Sequence, residues 1–262
     1  MSVQQAAKVL ELLEFYARTR QPASLAEISQ AMGWPRSSTF SLLQALAERG
    51  FLYEPRVRAG YYPSPRWLSL IQKVADAEPL PETLHTIVHE LSLETGETVA
   101  LGGSAGTSAI FLAVRESPAA IRYFAQVGHR LPIHASATGR ALLGQYGRDE
   151  RMALYRRVTF QQHSPSTPIS IEAVETELRR AAERGWHESR GDFSPDLVGV
   201  GIPLPVGERR LSLVVAGPSF RLLGRIPATA AAIRQVVAHY ADDLGDKAPE
   251  GRTLHRSLGR QG

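Results

Sequence analysis

The sequence predicts a two-domain α+β protein: a small helical domain that ends in a short β-hairpin, then a larger domain in which helices cover a sheet. Three observations predict it. Within the first 64 of 262 residues, three helical stretches precede two short strand-like runs. From Glu82 onward helical and strand patterns mix, with two adjacent strand runs near the end. Between these regions Pro79 and Pro81 interrupt a helical stripe, which puts a boundary near residue 79.

In the first helix Ala6, Val9, Leu10, Leu13 and Ala17 share one face. Ser24-Leu25-Ala26-Glu27 has the form of a capping box, so a second helix starts there, buries Leu25, Ile28 and Met32 and stops at Gly33. Pro35 and the hydroxyl residues Ser37, Ser38 and Thr39 suit the start of a third. That helix has two faces: Thr39, Leu42, Leu43, Leu46 and Ala47 gather on one, while Ser37, Ser41, Gln44 and Glu48 fall on the other. Short polar side chains near the N-terminus of a core-packed helix are what reading a DNA groove requires. Gly50 closes the helix, and Phe51-Leu52-Tyr53 and Val57 to Tyr62 read as two strands around a turn. The sum is a winged helix-turn-helix over residues 1–64. Its hairpin tip, Arg56, Val57 and Arg58, is placed to touch phosphate or the minor groove.

Residues 65–79 form a linker helix with Trp67, Leu70, Ile71 and Val74 on one stripe, read as core or as a dimer contact. The second domain, 80–246, opens with a helix over 82–95 (Leu84, Ile87, Val88, Leu91). Strands are expected at 98–102, 109–114, 121–126, 197–204 and 211–216, and helices at 136–145, 149–157, 170–184 and from Pro227 to Leu244. The tail, 247–262, is poor in apolar residues and is expected to be disordered.

Composition narrows the chemistry. With 43% hydrophobic and 21% charged residues the chain is neither disordered nor collagen-like. It has no Cys, which excludes disulfide frameworks, thiolate zinc sites and cysteine nucleophiles and suits a reducing cytoplasm. No apolar run approaches the roughly 20 residues of a membrane span, and the first 20 residues do not form a signal-peptide core, so a cytoplasmic location is expected. The net charge of +4 is unevenly spread. Eight basic residues face five acidic ones in 1–66, four face one in 247–262, and 18 face 20 between. Basic ends around a mildly acidic middle suggest a polyanionic partner for one end.

Two sharper motifs have blander readings. Gly102-Gly103-Ser104-Ala105-Gly106 formally matches G-x-S-x-G, the nucleophile elbow of serine hydrolases. That elbow needs a helix after the serine, and here the strand-like run Ala109 to Val114 follows, so a hairpin loop is preferred and a hydrolase using Ser104 stands as the alternative function. His85 and His89 are spaced to chelate a metal on one helix, but they flank the apolar stripe, and solvent-facing histidines are preferred. No catalytic residue, metal or cofactor is expected.

From about residue 3 to residue 245 the chain resembles the IclR family of bacterial transcriptional regulators. In the first domain the resemblance is carried by Gly33-Trp34-Pro35-Arg36-Ser37-Ser38, Leu42-Leu43-Gln44-Ala45-Leu46, Arg49-Gly50-Phe51-Leu52 and Tyr62. In the second it is Thr95-Gly96-Glu97-Thr98-Val99-Ala100-Leu101 and the long run Gly128-His129-Arg130-Leu131-Pro132-Ile133-His134-Ala135-Ser136-Ala137-Thr138-Gly139-Arg140-Ala141, supported by Arg184-Gly185-Trp186 and Gly217-Pro218. The resemblance implies a GAF-like effector-binding second domain, double-stranded operator DNA and a small metabolite as partners, a homodimer or dimer of dimers, and repression as the default. A DNA-binding protein with a non-responsive pocket is the remaining alternative.

Two departures from the family pattern matter. Ser41 stands where most relatives carry Arg, and Ser38 where Thr is usual; a bidentate Arg contact is worth roughly 1 to 3 kcal/mol. Ser37, Phe40, Ser41 and Gln44 are therefore the expected base readers, with Ser38 and Thr39 beside them and Arg36, Arg56 and Arg58 on the backbone. In the pocket, implied by the resemblance to include Leu131, Ser136, Ala137, Thr138, Gly139 and Leu197, with His134 either lining it or bracing the loop, relatives place acidic, thiol or hydroxyl side chains where this chain has Ser189, Gly199, Val214 and Ala216. The turn from Ser136 to Gly139 keeps backbone N–H groups that suit a carboxylate. An aromatic or aliphatic acid is expected over a two- or three-carbon keto acid.

Overall fold

The computed structural model describes residues 3–57, 59–77 and 79–245. The chain divides into two compact units, with the boundary between Pro79 and Leu80.

The first unit runs α1 (Val3–Thr19), α2 (Leu25–Met32), α3 (Arg36–Glu48), β1 (Leu52–Tyr53), β2 (Tyr62–Pro63) and α4 (Arg66–Ala77). The capping box is present: Ser24 N–H donates to Glu27 Oε2 at 2.7 Å, and Glu27 N–H to Ser24 Oγ at 3.3 Å. The core gathers Leu12, Phe15, Tyr16, Ala23, Ile28, Leu43, Leu46 and Leu52. This corrects the inward face expected for α1. Leu10 and Ala17 are exposed, because the helix turns to bury Phe15 and Tyr16, whose rings remove more apolar surface from water. The second hairpin strand is also shorter than expected. Val57 sits in the turn, and the ladder holds only Leu52 opposite Pro63 and Tyr53 opposite Tyr62. An isolated bridge between Ala23 and Tyr61 extends it. Gly60 permits that bridge: its φ is +83°, and a Cβ there would run into the backbone of Ala23. Trp67 belongs to the core side of the linker helix, its ring on Phe51 and its Nε1–H donating to Phe51 O at 2.9 Å. Leu68, Leu70, Ile71 and Val74 are exposed.

The second unit begins with α5 (Glu82–Thr95), β3 (Thr98–Ala105), β4 (Ser108–Arg115), β5 (Arg130–Pro132), α6 (Ala137–Leu143), α7 (Arg148–Tyr155) and α8 (Ile171–Arg184). It ends with β6 (His187–Arg190), β7 (Leu197–Val206), β8 (Arg209–Pro218), α9 (Ser219–Leu222), α10 (Ile226–His239) and α11 (Ala241–Gly245). The six strands form one antiparallel sheet in the order β5-β4-β3-β8-β7-β6.

Strand alternation divides the sheet into two faces. Val99, Leu101, Val198, Val200, Ile202, Leu213 and Val215 pack with α5 and α10 on one. Ala100, Gly199 and Val214 turn to the other, which α6 covers. The strand expected at 121–126 does not form. Tyr123 and Ala125 do face inward in alternation, but the segment has no ladder partner, and the edge strand is β5 instead. β6 had no expectation at all.

Candidate functional site

In the first unit α3 lies with Thr39, Leu43 and Leu46 buried beneath it. Arg36, Ser37, Ser38, Phe40, Ser41 and Gln44 are exposed, Phe40 at 48%. Three of these polar side chains are engaged within the helix. Ser38 Oγ donates to Pro35 O at 3.0 Å, Ser41 Oγ to Ser37 O at 3.1 Å, and Gln44 Nε2 to Glu48 Oε1 at 2.9 Å. Thr39 must be removed from the expected DNA contacts. It is 1% exposed, and its hydroxyl donates to Pro35 O at 3.0 Å, so it serves the core and the helix start. At the hairpin, Arg56 and Val57 are exposed, and Arg58 lies outside the described residues, as does the tail 247–262.

In the second unit α6 begins over the inner face of the sheet. Ser136 caps it, its Oγ accepting from Gly139 N–H at 3.0 Å and donating to Pro132 O at 2.9 Å. The N–H groups of Ala137 and Thr138 have no protein partner among the described residues. Beside them is a cavity of about 30 Å³. Nine of the residues expected from sequence line it: Leu131, Ser136, Ala137, Thr138, Ser189, Leu197, Gly199, Val214 and Ala216. Three further wall residues were missed: Phe111 from β4, Tyr123 from the loop after it, and Phe193 from the loop after β6. For Phe111 the inward alternation along β4 was a usable signal, whereas Phe193 lies in a loop with none. No lining residue is charged.

Two expected members do not reach the cavity. His134 is 2% exposed; its ring packs on Phe160 and His163, and its Nε2 lies 3.0 Å from Gln161 O. It braces the loop before α6, and burial holds its pKa below the ordinary histidine value. Gly139 faces Ile133, whose backbone occupies the place of a Cβ, so this glycine allows α6 to pack closely rather than touching a ligand.

Arg140, in the same sequence run, is a buried neighbour of the cavity. It is 1% exposed, and its guanidinium donates to His134 O at 3.1 Å, to Glu188 O, and to Asp192 Oδ2 at 2.5 Å. The rival chemistry finds no geometry. Ser104 is within β3, opposite Ala109, and its Oγ meets Tyr146 Oη at 2.8 Å, with a second strand following in place of the helix an elbow needs. His85 and His89 are exposed, and among the described residues no cluster of three or more His, Cys, Asp or Glu is placed to hold a metal.

Residues 5–56 match the IclR helix-turn-helix domain, and residues 72–242 match the family described as bacterial transcriptional regulator IclR C-terminal. The chain belongs to the IclR family. As an IclR-family protein it is a DNA-binding transcriptional regulator that responds to a small molecule. The HTH-type transcriptional repressor AllR of Escherichia coli (strain K12) is 25% identical over 252 residues, 94% of this chain and 93% of AllR. AllR of Salmonella typhi is 24% identical over 255 residues, 95% and 94% of the two chains. Among solved structures, the Thermotoga maritima IclR superposes with a TM-score of 0.74 at 18% identity, covering 93% of this chain and all of that one. An IclR homologue from Microbacterium hydrocarbonoxydans, solved with 4-hydroxybenzoate, gives 0.73 at 21% identity, covering 92% and 98%. Among the described residues no helix is long and apolar enough to cross a membrane.

Proposed function

We propose that this IclR-family regulator is a cytoplasmic repressor without enzymatic activity. It binds a pseudo-palindromic operator as a dimer or dimer of dimers, and an organic acid held in the cavity beside α6 controls it. The proposed domains are 1–64 for DNA, 65–79 as linker and 80–246 for the effector.

The observation that carries the DNA half is the exposed face of α3, where Arg36, Ser37, Phe40, Ser41 and Gln44 stand clear of the buried Thr39, Leu43 and Leu46. A dimer would set two such helices in successive major grooves roughly 34 Å apart. Repression follows the relatives named AllR. For the effector, a carboxylate is served by the unpartnered N–H groups of Ala137 and Thr138. Gly199, Val214 and Ala216 keep the β7–β8 part of the wall small and apolar, which suits an aromatic or aliphatic body. Binding widens the cavity by displacing the side chain of Phe193, which rides on the loop after β6. Differential affinity for the DNA-fitting and non-fitting arrangements makes this a switch.

The test selects duplexes from a randomised library with the full-length protein. Symmetric half-sites about one turn apart are expected. Replacing Arg36, Arg56 and Arg58 together by Gln should flatten the salt dependence of binding by up to about three units. An unchanged slope rejects this assignment of the phosphate contacts. Stabilisation by only the smallest keto acids in a thermal-shift panel rejects the larger effector.

A further inference from the structure

Five buried side-chain polar atoms have no hydrogen-bond partner among the described residues: Tyr123 Oη, His134 Nδ1, Gln145 Oε1, His187 Nδ1 and Ser212 Oγ. Only one of their side chains, Tyr123, lines the cavity. Its ring is set edge-on to Phe111, with centroids 6.5 Å apart, and its backbone carbonyl accepts from Thr98 Oγ1 at 2.7 Å. Ring and backbone are therefore fixed by the fold, while the phenol hydroxyl is left without a protein group to bond. The cavity walls are mostly apolar, with Leu131, Phe193, Leu197 and Val214 among them, and the hydroxyls of Ser136 and Ser189 are already bonded to Pro132 O and Ala135 O. A buried hydroxyl in such surroundings is costly unless something bonds it.

We propose that Tyr123 is the specificity-determining residue of the effector site, its hydroxyl donating to an uncharged oxygen, a hydroxyl or a carbonyl, carried by the effector in addition to its carboxylate. The inference rests on the cavity reading given above. The two oxygen functions divide as they do because of the donors available. A carboxylate needs several hydrogen bonds to leave water, whereas Tyr123 offers one donor in a wall without any cation. A single neutral oxygen is what one phenol satisfies. Burial also pushes the phenol pKa up to about 12, so it remains a donor throughout the neutral range.

The experiment titrates full-length wild type and Tyr123→Phe with three matched pairs: benzoate and 4-hydroxybenzoate, phenylacetate and 4-hydroxyphenylacetate, hexanoate and 6-hydroxyhexanoate. Wild type should bind at least one oxygenated acid about ten-fold or more tightly than its parent, and Tyr123→Phe should bring that pair level. A preference that survives in Tyr123→Phe, or a wild type that binds the parents as well as the oxygenated acids, overturns the proposal and leaves the cavity reading standing. Failure of wild type to bind any of the six overturns both. Without effector, Tyr123→Phe should melt within about 2 °C of wild type, since no protein bond is lost; a fall of more than about 5 °C would make the hydroxyl structural and also overturn the proposal.

Discussion

Arg140 and Asp192 form an ion pair at 2.5 Å between α6 and the loop that follows β6, with the arginine side chain 1% and the aspartate 13% exposed. The two residues lie 52 positions apart. Each adjoins a part of the cavity wall: Arg140 is on the helix that begins with Ala137 and Thr138, and Asp192 immediately precedes Phe193. Asp192 is tied further, its carbonyl accepting from Thr167 Oγ1 at 2.6 Å. The pair thus fixes the helix start against the loop that carries one of the cavity's aromatic walls.

Asp192→Ala should destabilise the second unit by about 3 to 5 kcal/mol, because it leaves a buried guanidinium without its counter-charge. The double variant Arg140→Met with Asp192→Ala should recover part of that loss, since the uncompensated charge is gone. Urea unfolding of the single and double variants measures both. A loss below about 1 kcal/mol for Asp192→Ala would show that the carbonyls of His134 and Glu188 suffice for the arginine.

Phe40 should read the 5-methyl group of thymine. It is an aromatic side chain left 48% exposed on the solvent-facing side of α3, and an apolar contact of this kind is available at thymine in the major groove. In a duplex selected by the wild-type protein, replacing the contacted thymine by uracil should weaken binding by about 0.8 kcal/mol per half-site, the scale of one buried carbon. Phe40→Ala should bind the thymine and uracil duplexes equally. Fluorescence anisotropy on the matched duplexes decides it, and a uracil penalty that persists in Phe40→Ala counts against the contact.

Acid should weaken the fold from near pH 6.5 downward. His187 is 6% exposed, and burial, with Arg140 and Arg184 adding to it, drives its pKa down to about 3. The unfolded chain binds a proton below the ordinary histidine pKa and the folded chain does not. Stability is therefore full above about pH 6.5 and is lost as pH falls toward 3, at up to about 1.4 kcal/mol per pH unit. His134 is shifted in the same direction. Between pH 7 and 5, His187→Gln should lose about 2 kcal/mol less than wild type in urea unfolding. Equal losses would remove His187 as a source of the acid sensitivity.

Local signals carried the helices well. The capping box at Ser24 and Glu27 and the helix from Glu82 to Thr95 were legible because each depends on residues a few positions apart. Most of the cavity wall was legible from the family motif and alignment. What escaped depended on distant partners. β6 reads His-Glu-Ser-Arg, with no apolar alternation, since this edge strand puts His187 and Ser189 toward α6 while Glu188 meets Trp186 and Arg190. Residues 121–126 carry the alternation of a strand without a neighbour to pair with, so periodicity misassigned the segment and hid Tyr123. His134 sits among cavity residues in the sequence, yet the turn before α6 sends its ring to Phe160.

The cavity's volume of about 30 Å³ has a consequence for how much effector the cell must accumulate before the regulator answers. Pockets that hold small molecules commonly measure about 300 to 1,000 Å³. If the effector binds here as proposed, it needs a wider form of the cavity than the one described. At a population of about 1% the apparent affinity falls about 100-fold below that of the open form. The walls of Phe111, Tyr123 and Phe193 then act as a threshold. Trimming Phe111 or Phe193 would lower the concentration at which transcription responds, without any change in how the protein meets its operator.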